Sequence, residues 1–325
     1  MAAIASAVRP ARVLGDVGGT NARFAWQASD DAPLRDIVSI PTADHPTLAA
    51  ALSEYLRGIG RPVPPWCAIG IANPITGDHV QMTNSHWSFS IEAVRLGLGF
   101  ERFVVINDFT ALALALPGLP RNELRQIGGG AAIAGAPLAL LGAGTGLGVS
   151  GLVPGTEPGR WYPLQGEGGH VTLAARNARE AAVLQVLRDG FGHASAERAV
   201  SGQGLQALHD ALCTLNGTAN DTPLAAAEIS RRALASSDPQ CVEALALFCT
   251  FLGTVAGNLA LTLGARGGVF IGGGIVPRLG DAFTNSGFRA SFEDKGRFRT
   301  YLAAIPVYVI DAEVSPALRG VARAL

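Results

Sequence analysis

The chain has 325 residues, enough for two domains of ordinary size, and 48% of them are hydrophobic, so sizeable cores can form. Its formal net charge is −1 and it has no basic excess, which argues against a nucleic-acid-binding protein. Lys295 is its only lysine, so no Gly-Lys pair exists and a Walker A phosphate loop is excluded.

The first third of the chain mixes strand-like and helical segments around a glycine-rich run. Residues 11–14 begin a strand that ends at Gly15-Asp16-Val17-Gly18-Gly19-Thr20, and alternation over residues 21–27 predicts a second strand. The glycines between them are therefore predicted to form a hairpin turn. The other predicted elements are helices over residues 47–59, 91–97 and 110–116 and strands over residues 67–72 and 103–106. Pro117 and Pro120 then end the last helix and mark the expected domain boundary.

The rest of the chain repeats this logic. A strand over residues 137–141 leads through a glycine-rich turn, residues 142–148, into a strand over residues 149–153. The further predicted elements are helices over residues 180–187, 204–212, 225–234, 241–263 and 316–325 and strands over residues 268–271 and 305–310. Residues 127–156 carry no charge, but their ten glycines and two prolines favour sheet and tight turns over a membrane-spanning helix. The mixed order predicts an α/β protein, and the doubled motif suggests two related halves.

The two glycine turns are candidate phosphate sites, because a turn without side chains lets backbone N–H groups approach phosphate oxygens closely. In the first turn, Asp16 could hold a hydrated magnesium ion and Thr20 offers a hydrogen bond. In the second, Gly144, Thr145 and Gly146 offer the same features without a carboxylate. One such turn is more often a plain hairpin, but two in one chain, each between strands, favour phosphate binding.

A dinucleotide-binding fingerprint is the alternative for the second turn. Gly146, Gly148 and Gly151 match its spacing. Residues 152–158 contain two prolines and a glycine, however, so no helix is predicted there to receive a pyrophosphate. This disfavours a nicotinamide-dependent enzyme.

Asn107 and Asp108 follow the apolar strand over residues 103–106. In an open parallel sheet the carboxyl ends of the strands face the ligand crevice, and a carboxylate there can accept a proton from a substrate hydroxyl. The alternative is that Asp108 caps the helix that begins near Thr110. Position alone leaves the two interpretations about equal.

Three further polar side chains could surround a polyol, since carboxylates and imidazole hydrogen-bond to hydroxyls. They are Glu167, His170 and Glu197. A zinc site is the competing interpretation of the first two, but no nearby third ligand completes it. For Glu197 alone, a solvated helix face paired with Arg198 is favoured.

Gly272, Gly273 and Gly274 end a predicted strand. They indicate either a tightly packed turn before a helix or a close backbone approach to a flat nucleoside.

The cysteines are Cys67, Cys213, Cys241 and Cys249, and no two of them form a C-x-x-C pair. A zinc knuckle is therefore not expected, and the spacing is typical of buried thiols in a reducing cytosol. Residues 1–10 are only a weak match to a signal peptide, so we expect a cytoplasmic protein without a membrane partner.

Taken together, these motifs resemble bacterial glucokinases over nearly the whole chain, from about Val13 to the last helix. The resemblance rests on the order Gly15-Asp16-Val17-Gly18-Gly19-Thr20-Asn21-Ala22-Arg23, Asn107-Asp108-Phe109-Thr110-Ala111, residues 142–148, Glu167-Gly168-Gly169-His170, Ser195-Ala196-Glu197-Arg198 and residues 268–277. Ile75-Thr76-Gly77-Asp78 and Phe292-Glu293-Asp294-Lys295-Gly296-Arg297 are also typical of that family. In the related ROK kinases a cysteine-rich zinc motif follows the histidine, whereas Val171-Thr172-Leu173-Ala174 follows His170 here, which disfavours that group.

The resemblance implies a two-domain actin-like ATPase (ribonuclease H-like) fold with a central cleft, and ATP-dependent phosphorylation of glucose to glucose 6-phosphate. It implies a small domain over residues 1–117, completed by residues 311–325, and a large domain over residues 118–310. Asp108 is expected to be the catalytic base, and the implied glucose ligands are Asn107, Asp108, Glu167, His170 and Glu197. The implied ATP contacts are Gly15, Asp16, Val17, Gly18, Gly19, Thr20, Gly144, Thr145, Gly146, Gly272, Gly273 and Gly274, with Mg²⁺ near Asp16 through water.

The family is commonly homodimeric, so a homodimer is expected. Because the implied glucose ligands fall on both sides of the domain boundary, we also expect glucose to favour a closed state. Two rival functions remain: a kinase for another hexose, and a sugar sensor that has lost turnover. The presence of Asp108 and both glycine turns argues against that loss.

Overall fold

The computed structural model describes residues 9–30, 32–218 and 222–325. The chain divides into two compact units, one formed by the chain up to Leu119 with Glu313–Leu325 and the other by Pro120–Ala312. Most of the segment compared above with a signal peptide, residues 1–8, lies outside the described residues.

The first unit contains a five-stranded sheet. Its strands are β1 (Arg12–Val17), β2 (Asn21–Gln27), β3 (Arg35–Pro41), β4 (Trp66–Ile71) and β7 (Arg102–Asn107), with β5 (His79–Gln81) and β6 (Ser88–Ser90) in a separate hairpin. The sheet order is β3-β2-β1-β4-β7. β1 and β2 pair antiparallel, so the predicted hairpin is confirmed. β1, β4 and β7 run parallel and in register, which brings the carboxyl ends of all three strands to one edge of the sheet.

The helices of this unit are α1 (Leu48–Gly58), α2 (Ile91–Leu98), α3 (Asp108–Ala115) and α12 (Ala317–Val321). The last is shorter than predicted, because a 3₁₀ turn, Ala322–Ala324, replaces its final residues. α12 packs against α3 so closely that a Cβ atom on Gly320 would lie 1.7 Å from the carbonyl oxygen of Ala111. Leu318 and Val321 are fully buried in the same cluster as Leu14. The carboxy-terminal segment therefore completes the core of the first unit.

The second unit contains a six-stranded sheet. Its strands are β8 (Leu124–Gln126), β9 (Leu138–Ala143), β10 (Leu147–Pro154), β11 (Trp161–Gln165), β12 (Gly268–Gly272) and β13 (Val307–Ile310), in the order β11-β10-β9-β12-β13-β8. β9 and β10 form the second predicted hairpin, which confirms the interpretation of the uncharged stretch as sheet and turns. β9 and β12 run parallel, with Gly142 opposite Gly272, so both strands end at the same edge.

The helices of the second unit are α4 (Ala178–Phe191), α5 (Gly202–Asn216), α6 (Ala226–Leu234), α7 (Pro239–Leu263), α8 (Val276–Leu279), α9 (Asp281–Thr284), α10 (Phe288–Glu293) and α11 (Arg299–Ala303). Asp238 caps the start of α7 and Gly264, at φ +61°, ends it. By length and composition α7 is apolar enough to cross a membrane, but 72% of its most apolar window is buried. We interpret it as the core helix of this unit, and the predicted α/β class is confirmed.

Candidate active site

The first glycine turn is shorter than the sequence predicted. Gly15 belongs to β1, which pairs with β2 on one side and β4 on the other, so including Gly15 in the turn was wrong. Val17 also lies in β1. A Cβ atom on Gly15 would lie 2.4 Å from Ile69 Cγ2, and Val17 is fully buried. Packing within the sheet therefore accounts for both residues, and neither has the exposed turn backbone expected of a phosphate contact.

The turn itself consists of Gly18, Gly19 and Thr20. The backbone N–H of Gly18 donates to Asn21 O at 2.9 Å. A Cβ atom on Gly18 would approach only that oxygen, at 3.4 Å, whereas one on Gly19 would lie 2.5 Å from Asn84 O. The face at Gly18 is thus open, while Gly19 is required because the loop between β5 and β6 packs on it.

Asp16 lies near the end of β1, directly opposite Arg23 on β2. Its carboxylate is largely covered, and Oδ2 is 3.5 Å from Arg23 Nη1, a long ion pair with a half-exposed arginine. A carboxylate oxygen is the kind of ligand that Mg²⁺ takes, and a hydrated ion can bind through water. Asp16 therefore fits a magnesium ion chemically.

Asp108 begins α3 where β7 ends, on the edge shared with β1 and β4. Its Oδ1 accepts hydrogen bonds from Phe109 N at 2.9 Å and Asn107 Nδ2 at 3.0 Å. Burial raises the pKa of Asp108 from 3.8 to about 6, and the negative charge of Asp16 adds to the rise, while the hydrogen bonds oppose it. A carboxyl group with its pKa close to neutral is well suited to general-base chemistry.

Asn107, not Asp108, caps α3. Its Oδ1 accepts a hydrogen bond from Thr110 N at 3.1 Å. The capping alternative for Asp108 is therefore wrong, because the residue before it fills that role. Asn107 both starts the helix and hydrogen-bonds to the Asp108 carboxylate, which orients it.

The second glycine turn is held by Glu197. Glu197 Oε2 accepts a hydrogen bond from Leu147 N at 2.8 Å, where β10 begins. A Cβ atom on Gly146 would lie 2.4 Å from the same oxygen, whereas one on Gly144 would meet no atom within 4 Å. Gly202 N, at the start of α5, also donates to Gly144 O at 2.8 Å. The turn thus has a braced side at Gly146 and an open side at Gly144.

The solvated-helix interpretation of Glu197 is wrong. The residue lies in a turn before α5, and its carboxylate contacts the backbone of β10. Arg198 instead places its guanidinium 4.3 Å from the ring centroid of Phe191. A cavity of about 90 Å³ next to Thr145 is lined by Arg198, Ser201 and Gln203, among others, three residues that sequence reasoning did not single out as ligands.

Glu167 and His170 lie on either side of Gly169, which links them to the same turn. A Cβ atom on Gly169 would lie 2.1 Å from Leu147 O, and Gly169 O accepts a hydrogen bond from Glu197 N at 2.8 Å. Glu167 and His170 are exposed, and His170 N donates to Glu167 O at 3.0 Å. The structure therefore groups Glu167, His170 and Glu197 around the start of β10.

The three glycines at the end of β12 and directly after it have different surroundings. Gly273 has φ +81°, and a Cβ atom there would lie 2.3 Å from Ala143 O. A Cβ atom on Gly142 would lie 2.6 Å from the carbonyl carbon of Gly272. Gly142 and Gly273 are thus required where β9 and β12 approach each other. Gly274 has no atom within 4 Å of its Cβ position, so its face is open.

The family model and the curated relatives agree on one family. The family model described as Glucokinase matches residues 13–325. The chain is 57% identical over 311 residues to the glucokinase of Chromobacterium violaceum, covering 96% of this chain and 88% of that protein. It is 58% identical over 318 residues to the glucokinase of Aromatoleum aromaticum, covering 97% and 94%. The crystal structure of a glucokinase from an Antarctic psychrotroph superimposes with a TM-score of 0.87 at 35% identity, covering 97% of this chain and 98% of that chain. The structural match confirms the predicted two-domain actin-like ATPase fold.

Proposed function

This chain belongs to the glucokinase family and phosphorylates glucose with ATP, and on that premise we propose that Asp108 is the general base of the reaction. In this proposal Asp108 accepts the proton of the 6-hydroxyl as that oxygen attacks the γ-phosphate of ATP. Phosphoryl transfer needs little covalent help from a protein, so catalysis is mainly positioning and charge stabilisation. A positioned base still contributes typically about 10²–10⁴-fold.

The single observation that carries this proposal is the state of the Asp108 carboxyl. Its pKa of about 6 leaves roughly nine-tenths of it ionised at neutral pH, yet makes it a stronger proton acceptor than an ordinary aspartate. Asn107 fixes its orientation from one side, and the backbone of Phe109 does so from the other. The group is therefore both charged and oriented before substrate arrives.

Phosphate binding is assigned to the open faces of the two glycine turns. Gly18 and Gly144 support this assignment. A Cβ atom on either glycine would have no neighbouring atom closer than 3.4 Å, so the space above each backbone is open. Magnesium would bind at Asp16 through water, neutralise phosphate charge and lower the repulsion between Asp16 and Asp108. Gly274 is the glycine of its run that could approach the adenosine.

Glucose binding is assigned to five polar residues. Asn107 and Asp108 would hydrogen-bond to the sugar, as would Glu167, His170 and Glu197. Support comes from the grouping of the latter three around β10 and from the exposure of Glu167 and His170. We further propose that the protein is cytoplasmic and forms a homodimer, and sedimentation of the purified chain tests the homodimer.

A coupled assay with glucose, ATP and magnesium tests the function. We expect Asp108→Asn to lower kcat by about 10²–10⁴-fold while the Kd for glucose stays within about tenfold, since the amide keeps the shape but cannot take the proton. Asp44→Asn removes an exposed carboxylate from the same unit and is the matched control. Near-normal kcat in Asp108→Asn would remove Asp108 from this role. A panel of hexoses run with the unsubstituted chain separates glucose from other sugars.

A further inference from the structure

A cluster of metal-binding side-chain types forms where α5 packs against α7. His209 and Cys213 stand four residues apart on α5, so they lie on one face of that helix. Asp238 is the N-cap of α7, and Cys241 lies in its first turn. Because the two helices are in contact, the fold brings together residues that are far apart in sequence.

The spacing of the donor atoms suits a tetrahedral metal ion. Donor atoms of His209, Asp238 and Cys241 all lie within 4.8 Å of one another. Bonds of about 2.0–2.3 Å to Zn²⁺ place the ligand atoms of a tetrahedron about 3.3–3.8 Å apart. Since 4.8 Å is the upper limit of their separation, a shift of at most about 1–1.5 Å would bring these three atoms to coordinating distance. Cys213 Sγ is 3.8 Å from His209 Nδ1, already near that spacing.

The chemistry of the donor side chains also favours a bound cation. His209, Cys213 and Cys241 are buried. Imidazole and thiolate bind Zn²⁺ in preference to Mg²⁺ or Ca²⁺. Asp238 Oδ1 accepts hydrogen bonds from the backbone N–H groups of Gln240 at 2.9 Å and Cys241 at 3.2 Å. Such backbone contacts to a ligating carboxylate fix its orientation, as outer-shell hydrogen bonds do in metal sites.

One cation of the protein lies beside this cluster and does not block it. Arg232 Nη1 is 3.5 Å from Asp238 Oδ2, but Arg232 Nε is only 2.7 Å from Glu228 Oε1. Glu228 is therefore the closer partner of Arg232, and Asp238 Oδ2 is left with a long contact that a divalent ion can replace.

We propose that His209, Asp238 and Cys241 bind one thiophilic divalent cation of the Zn²⁺ type. The bound ion links α5 to α7 and so braces the start of α5, where Gly202 N holds the second glycine turn through Gly144 O. The site is structural, and it does not depend on the proposed role of Asp108.

Cobalt titration of the full chain, after dialysis against a chelator, tests this site. Co²⁺ reports its own ligands, because thiolate coordination gives a charge-transfer absorption that oxygen ligands such as Asp16 do not give. We expect one Co²⁺ per chain with that absorption, displaced by Zn²⁺. Zn²⁺ at about 100 times its Kd should raise the Tm by roughly 5 °C.

Two substitutions and a matched control decide the ligands. Cys241→Ala should abolish the thiolate absorption and the Tm rise, whereas Cys249→Ala, which removes another buried cysteine of α7, should keep both. Asp238→Asn keeps an N-cap oxygen and a folded helix, and should weaken Co²⁺ binding at least about tenfold. Absence of the absorption in the unsubstituted chain, its persistence in Cys241→Ala, or its equal loss in Cys249→Ala would each overturn the proposal and leave a cluster of hydrogen-bonded thiols.

Discussion

Replacing Asp108 with asparagine should stabilise the first unit at the same time as it removes activity. Burial raises the pKa of this carboxyl from 3.8 to about 6, so above pH 6 the folded protein holds a charge that the unfolded chain solvates better. At about 1.4 kcal/mol per pH unit, the shift corresponds to a cost of roughly 3 kcal/mol. An uncharged amide of the same shape avoids that cost and keeps Oδ1 as acceptor for Phe109 N.

The sign of the pH dependence follows from the raised pKa. The cost is fully present above pH 6 and disappears as the pH falls below 3.8, because the carboxyl is then protonated in both states. The stability advantage of Asp108→Asn over the unsubstituted chain should therefore shrink by roughly 2 kcal/mol between about pH 8 and about pH 4.5.

Urea unfolding followed by tryptophan fluorescence measures this difference. Trp26, Trp66 and Trp87 lie in the first unit, so a Trp161→Phe background makes the signal report on that unit. Asp44→Asn, which removes an exposed carboxylate from the same unit, is again the control. If the advantage of the asparagine is absent, or is equal at the two pH values, then the Asp108 carboxyl is not held in the costly environment described here.

The other predictions concern glycines at which the neighbouring atoms determine what an added Cβ atom would contact. Gly144→Val should weaken ATP binding at least about tenfold while glucose binding survives, because the new side chain enters open space where phosphate is proposed to lie. Gly146→Ala should weaken binding of both ATP and glucose, since its Cβ atom displaces Glu197. Calorimetry with each ligand measures the two affinities separately. Equal effects of Gly144→Val and Gly146→Ala on them would contradict the assignment of phosphate to the open side of the turn. Gly320→Ala should destabilise the first unit by more than about 3 kcal/mol by over-packing two helices. A Cβ atom on Gly97 of α2 would meet no atom within 4 Å, so Gly97→Ala should leave the free energy of unfolding unchanged or raise it in the same urea titration. Similar losses of stability in Gly320→Ala and Gly97→Ala would refute the packing argument.

Elements with strong local signals were predictable from the sequence. Both glycine hairpins and the long helix α7 follow from alternation, glycine runs and apolar length. β3 could not be found in this way, because six of its seven residues are exposed and it carries no buried face. The helices α8 to α11 have only four to six residues, too few for a helical period to show, and tertiary packing determines them.

The residues of the candidate site divide in the same way, into those that a local sequence pattern predicts and those that depend on tertiary contacts. Asn107 and Asp108 were found because polar residues after a buried strand mark the ligand edge of a parallel sheet. Which of the two caps α3 depends on side-chain rotation, and the sequence left that open. The role of Glu197 depends on a contact with Leu147, fifty residues earlier in the chain, and no local pattern indicates it. His209 and Cys241 were missed as a pair for the same reason.

The pH dependence of kcat/KM for glucose tests the role of Asp108 most directly. The base must be deprotonated in the free enzyme, so kcat/KM should fall about tenfold per pH unit below an apparent pKa near 6. In Asp108→Asn the residual activity should lack this acid limb, while Asp44→Asn should keep it. An acid limb near pH 6 that persists unchanged in Asp108→Asn would assign the proton acceptor to another group and contradict the account.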